Sequence, residues 1–505
     1  MPKSSRRDFL KLVALFPPAA MLSNLISIRE LPKLEQAPAL PNVIIILFDA
    51  MTAKNLSLYG YPRKTTPNFE QFAERATVYH AHNSAGNFTV PGTTSLLTGM
   101  YPWTHRAINQ NGLMTRSLVD RNVFHLFGHE YKRIAFAQNV WANFILTQFS
   151  QDIDTILPPT DFSALNYVFG NKFNDTAFSY RAVDDFLLKN DTPASLVFGT
   201  IEKILLARSE IQLSSEGYPR GLPQNIVYPL YFRIEDVFQG LGDLLKHQAA
   251  PYLAYFHMLP PHGPYKPNEN FYGKFSKDNF HPLNKPMHRF SDHKSNAQLS
   301  SSRTSYDEYV ATADSEFGRF IDMLKQSGIF DKSYVIVTSD HGEMFERGER
   351  EHDTPLLYDP VIHIPLMISA PGQQARNDIF SPTNSVDVLP TLLHVAGREI
   401  PNWCEGTLLP GLGGTENPER ATFTVEAKRN PAFAPIKIGT VAMRKGQYKM
   451  IYYTGYEKKD SFELYDLEND PEEMTDLYMT KPVIASAIRD ELLARFNEAN
   501  VKQKG

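Results

Sequence analysis

The strongest constraint on the fold comes from one short apolar run near the start of the chain. Residues 43–48 are consecutive apolar residues, most of them β-branched, and the polar residues Asn42 and Asp49 bound the run. A run of this kind is typical of a strand that is buried on both faces. Such a strand belongs in a parallel sheet that helices cover on both sides. The sequence therefore predicts an α/β fold.

Further apolar runs and a helical pattern extend this prediction. Residues 309–325 carry apolar side chains at the spacing of an amphipathic helix. Strands that alternate with such helices indicate a doubly wound, mostly parallel sheet with helices on both faces, and we assign this domain to residues 41–415. The additional strands are predicted at residues 252–257, 334–338 and 363–368.

The character of the sequence changes after residue 415. Short β-type runs at 421–425, 439–443 and 448–453 precede a helical stretch at 483–499. We therefore expect a smaller C-terminal α+β subdomain, residues 416–505, with a short antiparallel sheet.

Two segments interrupt the alternation of strands and helices. Residues 150–250 are interpreted as a long insertion with a helix at 193–208, and the sequence does not indicate its role. Residues 270–305 are rich in polar side chains and are predicted to form a surface loop. Long loops on a rigid scaffold are usually functional or mobile.

The composition excludes several classes of function. The 51 basic and 56 acidic residues give a formal net charge of -5, without the electrostatic footprint of a nucleic-acid-binding protein. Cys404 is the one cysteine in the sequence, so an internal disulfide and a cysteine-ligated cluster are both impossible. No nucleic acid partner is therefore expected, and the sequence does not indicate the oligomeric state.

The first residues predict export. Residues 5–11, with the sequence SRRDFLK, form a twin-arginine pattern, and a modest apolar stretch follows at residues 12–22. We assign residues 1–40 to a twin-arginine signal and linker, with the twin-arginine translocase as the partner during export. The expected location is the periplasm or cell envelope. No clean cleavage site is evident, so an uncleaved N-terminal anchor is the alternative.

Polar residues at the ends of two predicted strands indicate a metal site. Asp49 ends the first strand, and Asp340 and His341 end another. Ligands of open α/β sheets bind outside the carboxyl ends of the strands, and carboxylates with imidazole suit a divalent cation. We predict one such ion, without distinguishing Zn, Mn, Ca and Mg. Taken alone, Asp49 could instead be a helix N-cap.

Thr89 is the candidate nucleophile. It precedes Pro91 and Gly92, so it is expected where a loop enters a helix that ends near Gly99. The N-terminus of a helix favours an anionic phosphate or sulfate group. A hydroxyl that also ligates a metal loses its proton more readily, which makes Thr89 both a nucleophile and a fourth metal ligand. The alternative is that Thr89 is only an N-cap hydroxyl.

An ordered set of short motifs resembles the sulfatase family of the alkaline-phosphatase superfamily. Each motif alone is weak, but their order along nearly the whole mature chain is specific. The motifs lie at residues 58–61, 65–68, 89–91, 97–99, 261–265, 339–342, 357–359, 387–391 and 463–471.

This resemblance implies roles for further residues. It places the metal ligands at Asp49, Asp340 and His341 and the nucleophile at Thr89. His262 falls at the histidine that contacts the ester oxygens or the leaving group, and His352 falls near the leaving-group side. Asn139 falls near the substrate-binding lysine and histidine of sulfatases. The alternatives are a turn residue between prolines for His262 and a solvated loop histidine for His352.

The chain departs from the family pattern at several positions. Sulfatases carry cysteine or serine at the nucleophile, which is oxidised to formylglycine, and the methyl group of Thr89 prevents formation of that aldehyde. Thr93 replaces an arginine, Ala50 replaces a second aspartate, and the lysine–histidine pair is absent near Asn139. Threonine nucleophiles occur in relatives that act on phosphorus, so these changes favour phosphorus over sulfur.

The sequence therefore favours a metal-dependent hydrolase of phosphate or phosphonate esters, preferably diesters, with a covalent threonine intermediate. The substrate would be a small molecule or an ester of an envelope glycan or lipid. Three alternatives stay open: a sulfuric ester hydrolase, a phosphoethanolamine- or phosphoglycerol-type transferase, and an inactive envelope binding protein.

Overall fold

A computed structural model describes residues 40–110, 112–164, 217–225 and 230–501, together with short helical pieces at 204–205, 207–208 and 211–212. The strands in chain order are β1 (Asn42–Phe48), β2 (Thr77–Tyr79), β3 (His82–Asn83), β4 (Lys132–Ala137), β5 (Thr155–Leu157), β6 (Tyr252–Met258), β7 (Ser333–Ser339), β8 (Met344–Glu346), β9 (Glu349–Glu351), β10 (Leu366–Ser369), β11 (Asn377–Ile379), β12 (Thr383–Asn384), β13 (Thr422–Glu426), β14 (Gly439–Lys445), β15 (Tyr448–Thr454) and β16 (Ser461–Asp466).

The α-helices are α1 (Pro67–Ala73), α2 (Thr89–Thr98), α3 (Pro102–His105), α4 (Val123–Phe127), α5 (Val140–Gln148), α6 (Ile234–Lys246), α7 (Asn296–Gln326), α8 (Asp359–Ile362), α9 (Val388–Val395) and α10 (Pro482–Val501). Short 3-10 helices lie at Ala53–Asn55, Ser57–Tyr59, Arg116–Leu118, Ser150–Asp152, Pro159–Phe162, Phe330–Lys332 and Ser385–Asp387.

The central sheet has eight strands in the order β11-β2-β10-β7-β1-β6-β4-β5. The strands β7, β1, β6, β4 and β5 are parallel to one another. Strand β10 runs antiparallel to both β7 and β2. The predicted mostly parallel sheet is therefore confirmed, and the central position of β1 explains why its sequence is continuously apolar.

Helices cover both faces of this sheet. Side chains alternate along β1, so Ile44 and Ile46 pack with α1, α6 and α7 on one face. Val43 and Ile45 pack with α2, α5 and α9 on the other face. The doubly wound arrangement places the carboxyl ends of β1, β6, β7 and β4 along one edge of the sheet, where α2 and α5 begin.

The C-terminal part contains a four-stranded antiparallel sheet in the order β13-β14-β15-β16, together with α10. The predicted strands and helix are present there, and β16 is an additional strand that the sequence analysis did not identify. Strand β13 contacts the central domain because Val425 N donates to the Ala85 carbonyl at 2.8 Å.

Two sequence predictions need adjustment. The predicted surface loop is wrong for residues 296–305, because α7 begins at Asn296 with a capping box formed by Ser295 and Gln298. The predicted strand at 363–368 begins only at Leu366. The helix predicted at 193–208 lies mostly outside the described residues. The described ends of the predicted insertion supply β5 and α6 to the central domain.

In the part of the chain that the structure describes, every helix is too short or too polar to cross a lipid bilayer.

Candidate metal centre

The carboxyl ends of two neighbouring strands, β1 and β7, bring the candidate ligands together. Phe48, the last residue of β1, pairs with Ser339 at the end of β7 and with Met258 at the end of β6. Asp49 and the pair Asp340–His341 follow directly. One ligand atom from each of these three residues lies within 4.8 Å of the other two, and all three residues are buried.

Each candidate ligand has one atom held by the protein and one atom left free. Asp340 Oδ1 accepts hydrogen bonds from the backbone N–H groups of Ala50 and His341, at 3.3 and 3.0 Å. His341 Nδ1 lies 2.9 Å from the Gly342 carbonyl, so Nδ1 carries a proton and Nε2 is the nitrogen that can bind a metal once it is deprotonated. Among the described residues, Asp49 Oδ1, Asp340 Oδ2 and His341 Nε2 have no hydrogen-bond partner. Three free, buried donor atoms facing one point fit a cation.

The electrostatics of this point also fit a cation. His341 Nε2 lies 3.3 Å from Asp49 Oδ1 and 3.6 Å from Asp340 Oδ2. Burial opposes the charged form of His341, but the two carboxylates outweigh burial and raise the pKa of this histidine to about 9. Burial and the nearby Asp49 charge raise the pKa of Asp340. The cluster therefore has an excess of negative charge, which a divalent ion would neutralise.

Thr89 is the first residue of α2 and lies beside this cluster. Phe88 is the N-cap, and no side chain caps the helix, so Thr89 is not the N-cap hydroxyl that the alternative required. Gly92 lets the first turn of α2 contact the Asp340 loop closely, because a Cβ at position 92 would lie 2.2 Å from the Asp340 carbonyl oxygen. The helix start is thereby held against the metal ligands.

Asn139 connects the nucleophile to the ligands. Its Oδ1 accepts a hydrogen bond from Trp141 N at 2.7 Å and caps α5, which fixes the orientation of the amide. The Nδ2 group then donates to both Asp49 Oδ2 and Thr89 Oγ1, the latter at 3.2 Å. Asn139 therefore positions Thr89 relative to Asp49, in addition to the substrate-binding role that the resemblance implies.

His257 is a site residue that the sequence analysis missed. It is the second-last residue of β6, is fully buried, and its Nε2 lies 3.3 Å from Asp49 Oδ2. A polar residue near the end of a buried strand beside β1 is the same signal that identified Asp49. That signal could have found His257 if the strand order had been known.

His262 and His352 lie together on the cavity side of the cluster. Their ring centroids are 5.0 Å apart, and the His352 ring lies 4.1 Å from that of His341. Glu343 Oε2 lies 3.0 Å from His352 Nδ1, which fixes the His352 ring. Burial and the neighbouring histidines hold the pKa of His352 well below its ordinary value. His352 is therefore not the solvated loop histidine of the alternative.

A cavity of about 490 Å³ opens beside these two histidines. Its walls combine charged, hydroxyl and aromatic side chains, and Arg220 and Arg350 are its basic groups. Arg220 lies 3.8 Å from Glu308 Oε2, and Arg350 Nε donates to Glu351 at 3.1 Å. The cavity is large enough for a small polar substrate whose reacting group reaches the histidines.

Comparison with known proteins shows the family of this chain. The family model described as Sulfatase matches residues 41–398. The chain belongs to the sulfatase family. A second model, described as N-sulphoglucosamine sulphohydrolase, C-terminal, matches residues 348–502 of this sulfatase-family protein. Members of the family are hydrolases that act on sulfuric esters and are generally metal-dependent, and the cluster of Asp49, Asp340 and His341 is a possible metal-binding site.

Several relatives are similar to this sulfatase-family chain. Arylsulfatase K of Bos taurus is 29% identical over 215 residues, which cover 40% of this chain and only 38% of the bovine protein. Choline-sulfatase of Rhizobium meliloti is 24% identical over 464 residues, which cover 86% of this chain and 82% of that protein. The crystal structure of phosphonate monoester hydrolase of Agrobacterium radiobacter shares the fold, with a TM-score of 0.66 and 19% identity. It covers 91% of this chain and 96% of that chain.

Proposed function

We propose that this protein is a metal-dependent hydrolase of phosphate or phosphonate esters, preferably diesters, that uses Thr89 as its nucleophile. The observation that carries the proposal is the bridge made by Asn139, whose amide donates to both Thr89 Oγ1 and Asp49 Oδ2. This bridge places the hydroxyl beside three free ligand atoms. A threonine cannot become formylglycine, so direct attack by its hydroxyl is the chemistry left to this position.

The metal site would activate the Thr89 hydroxyl. Asp49, Asp340 and His341 would hold one divalent cation through Oδ1, Oδ2 and Nε2, the atoms that lack partners in the described part of the chain. When bound, such an ion lowers the pKa of a coordinated hydroxyl and offsets charge on an ester oxygen. Asn139 keeps Thr89 oriented through the same steps, because its donated hydrogen bond stabilises an oxyanion at Oγ1.

The reaction proceeds in two balanced steps. The Thr89 hydroxyl loses its proton to solvent, and Oγ1 forms a bond to phosphorus while the bond to the leaving-group oxygen breaks. His262 donates a proton to that oxygen, because the low pKa of His352 keeps its ring neutral. Water then attacks the phosphothreonine, the bond from phosphorus to Oγ1 breaks, and a proton returns to the threonine. Glu343 holds the His352 ring facing the cavity during both steps.

The charges around Thr89 favour a substrate with one negative charge. The side chain that contacts the Thr89 hydroxyl is the neutral Asn139. The arginines of the cavity wall, Arg220 and Arg350, are paired with the carboxylates of Glu308 and Glu351. A phosphodiester or phosphonate monoester carries one charge, whereas a phosphate monoester carries up to two. The diester therefore suits this balance better.

Sulfuric ester hydrolysis is the second candidate function. A sulfate monoester also carries one negative charge, and the relatives arylsulfatase K and choline-sulfatase are named for this activity. The decisive experiment presents aryl sulfate, phosphate monoester, phosphodiester and phosphonate to one preparation, with metal analysis of the same sample.

The four outcomes of this panel separate the hypotheses. Release of the phenol from the diester or phosphonate supports the proposal, and preferential cleavage of the sulfate replaces it with sulfatase activity. Transfer of the phosphate-bearing group to an added alcohol in preference to water indicates a transferase. A protein that binds no metal and cleaves nothing is a binding protein.

We further propose that the protein is exported by the twin-arginine route to the periplasm or cell envelope. The support is the SRRDFLK sequence at residues 5–11, followed by an apolar stretch. Cell fractionation tests this, because replacing Arg6 and Arg7 by lysine should retain the protein in the cytoplasm. Unchanged export of that variant would exclude the twin-arginine route.

A further inference from the structure

His257 is completely buried in the middle of the central sheet. It pairs with Leu47 of β1 on one side and with Ala137 of β4 on the other. Its side chain has no exposed surface and lies at the same edge of the sheet as Asp49 and Asp340. An imidazole in such a place needs hydrogen-bond partners for both ring nitrogens.

Both nitrogens of His257 have defined partners. Nε2 lies 3.3 Å from Asp49 Oδ2, and Nδ1 lies 2.9 Å from the Tyr255 hydroxyl. A carboxylate can only accept a hydrogen bond, so Nε2 carries the proton that faces Asp49. Nδ1 is then the acceptor, and Tyr255 donates to it. This order sets one tautomer for the ring.

The hydrogen bond from His257 completes the fixation of the Asp49 carboxylate. Asp49 Oδ2 receives one donor from Asn139 and one from His257. The two donors come from the ends of different strands, β4 and β6, so they hold Oδ2 from two directions. The carboxylate cannot rotate without losing both, which leaves Oδ1 facing His341 Nε2 at 3.3 Å.

We propose that His257 is a positioning residue for the metal site, which orients Asp49 through Oδ2 so that Oδ1 can bind the cation. Tyr255 supports it by fixing the tautomer that donates. The inference rests on the metal site of the proposed function, but it does not depend on which ester is the substrate. Groups that orient metal ligands in this way typically change metal affinity 10- to 100-fold when they are removed, an order-of-magnitude range.

His257→Leu removes the donor while keeping an apolar side chain of similar volume. We expect the dissociation constant for Zn²⁺ or Mn²⁺, measured on the full chain by competition with a chelating dye, to increase by about 10- to 100-fold. His257→Gln keeps an N–H donor and should lose less affinity. Tyr255→Phe removes the hydrogen bond that fixes the tautomer of His257 and should give the smallest loss of metal affinity.

His82→Leu is the matched control. His82 is also a fully buried strand histidine, and its Nδ1 lies 2.9 Å from the Thr383 hydroxyl rather than near a metal ligand. His82→Leu should destabilise the fold about as much as His257→Leu does, while leaving metal affinity within about twofold of the parent. Circular dichroism and the melting temperature monitor folding, and His257→Gln and Tyr255→Phe replace His257→Leu if the leucine variant does not fold.

A double-mutant cycle with Asp49→Asn separates positioning from direct ligation. If His257 acts through Asp49, replacing His257 should reduce metal affinity little in a protein that already carries Asp49→Asn. The two losses of metal affinity are then not additive. Additive losses would instead make His257 a ligand in its own right and overturn the positioning role.

Two other outcomes would also refute the inference. Metal affinity of His257→Leu within twofold of the parent, or a loss no larger than that of His82→Leu, would show that His257 is only a core residue, while the proposed function would stand. A parent protein that binds no divalent ion would refute both the positioning role and the proposed function.

Discussion

The protein buries two groups of carboxylates, and they differ in where the balancing positive charge comes from. Next to the C-terminal sheet, Lys449 Nζ lies 2.8 Å from Asp359 Oδ1 and 2.7 Å from Glu473 Oε1, with the lysine side chain fully buried. At the metal centre, the free oxygens of Asp49 and Asp340 face the ring nitrogen of His341.

This difference distinguishes a structural cluster from a functional one. The Lys449 cluster contains its own cation, so it is complete when the chain is folded and stabilises the contact between α8 and the C-terminal sheet. The positive charge at the metal centre is instead the proton of His341, whose pKa is raised to about 9. That proton must leave Nε2 before the histidine can bind an ion, and the two carboxylates then repel each other unless the ion is present. A buried site of this second kind reduces the stability of the metal-free protein in order to bind an ion.

The largest effect is expected at the nucleophile. Thr89→Ala should reduce kcat by at least about 10³-fold on the preferred ester, because the attacking hydroxyl is gone. The unfolding free energy should change little, since α2 keeps its other contacts. Thr89→Ser is the control and should retain measurable turnover, and mass spectrometry should detect a phosphorylated residue 89 in the parent. Full activity of Thr89→Ala would exclude the covalent mechanism.

Opposite effects on stability should distinguish the two clusters. Lys449→Met removes the buried ammonium group that Asp359 and Glu473 share and should reduce the unfolding free energy by about 3–5 kcal/mol. Asp340→Asn relieves repulsion at the metal centre and should raise the stability of the metal-free protein by about 1 kcal/mol. Urea unfolding in a chelating buffer measures both. A loss of stability in Asp340→Asn as large as that in Lys449→Met would contradict the comparison.

Metal removal should affect one cluster only. Dialysis against a chelator should abolish turnover, and restoring the ion at 100 times its dissociation constant should stabilise the folded protein by about 2.7 kcal/mol. Replacing Lys449 should not alter metal affinity, because Lys449 Nζ pairs with Asp359 and Glu473 rather than with a metal ligand. Turnover that persists in thoroughly chelated protein would mean that the metal-free residues suffice for catalysis.

A further effect on stability is expected from pH. Burial lowers the pKa of His363, near Asp359, to about 4, so this histidine is neutral in the folded protein where it would be charged in the unfolded chain. The unfolded state then binds more protons between pH 6.5 and 4, and stability should fall as the pH decreases through this range. His363→Asn should flatten the decline in urea midpoints. An identical pH profile in that variant would assign the decline to other groups.

The sequence predicted much of the catalytic edge for a definite physical reason. Parallel strands end at the same edge of a sheet, so the polar residues after β1 and β7 had to converge, and Asp49, Asp340 and His341 do so. The start of α2 at Thr89 was predictable from Pro91, Gly92 and Gly99 because these residue types mark helix boundaries.

Other features depend on information that a single sequence does not carry. The first turns of α7 are polar and mostly solvent-exposed, so they lack the periodicity that identifies a helix, and the capping box at Ser295 was the only signal. His257 was hidden because it lies inside an apolar run, and its role depends on β6 being the neighbour of β1. Glu343 acquires its role only through contact with His352, which the loop fold determines.

The close contact at Gly92 has a consequence for how the protein is made. The first turn of α2 and the carbonyl group of Asp340 fit together only without a side chain at position 92, and β7 must lie beside β1 before Asp340 reaches this position. During synthesis, Asp49 and Thr89 leave the ribosome long before Asp340 does. A nascent chain that lacks β7 therefore holds a threonine without its activating partners, and the reactive centre arises in a late step, when β7 docks.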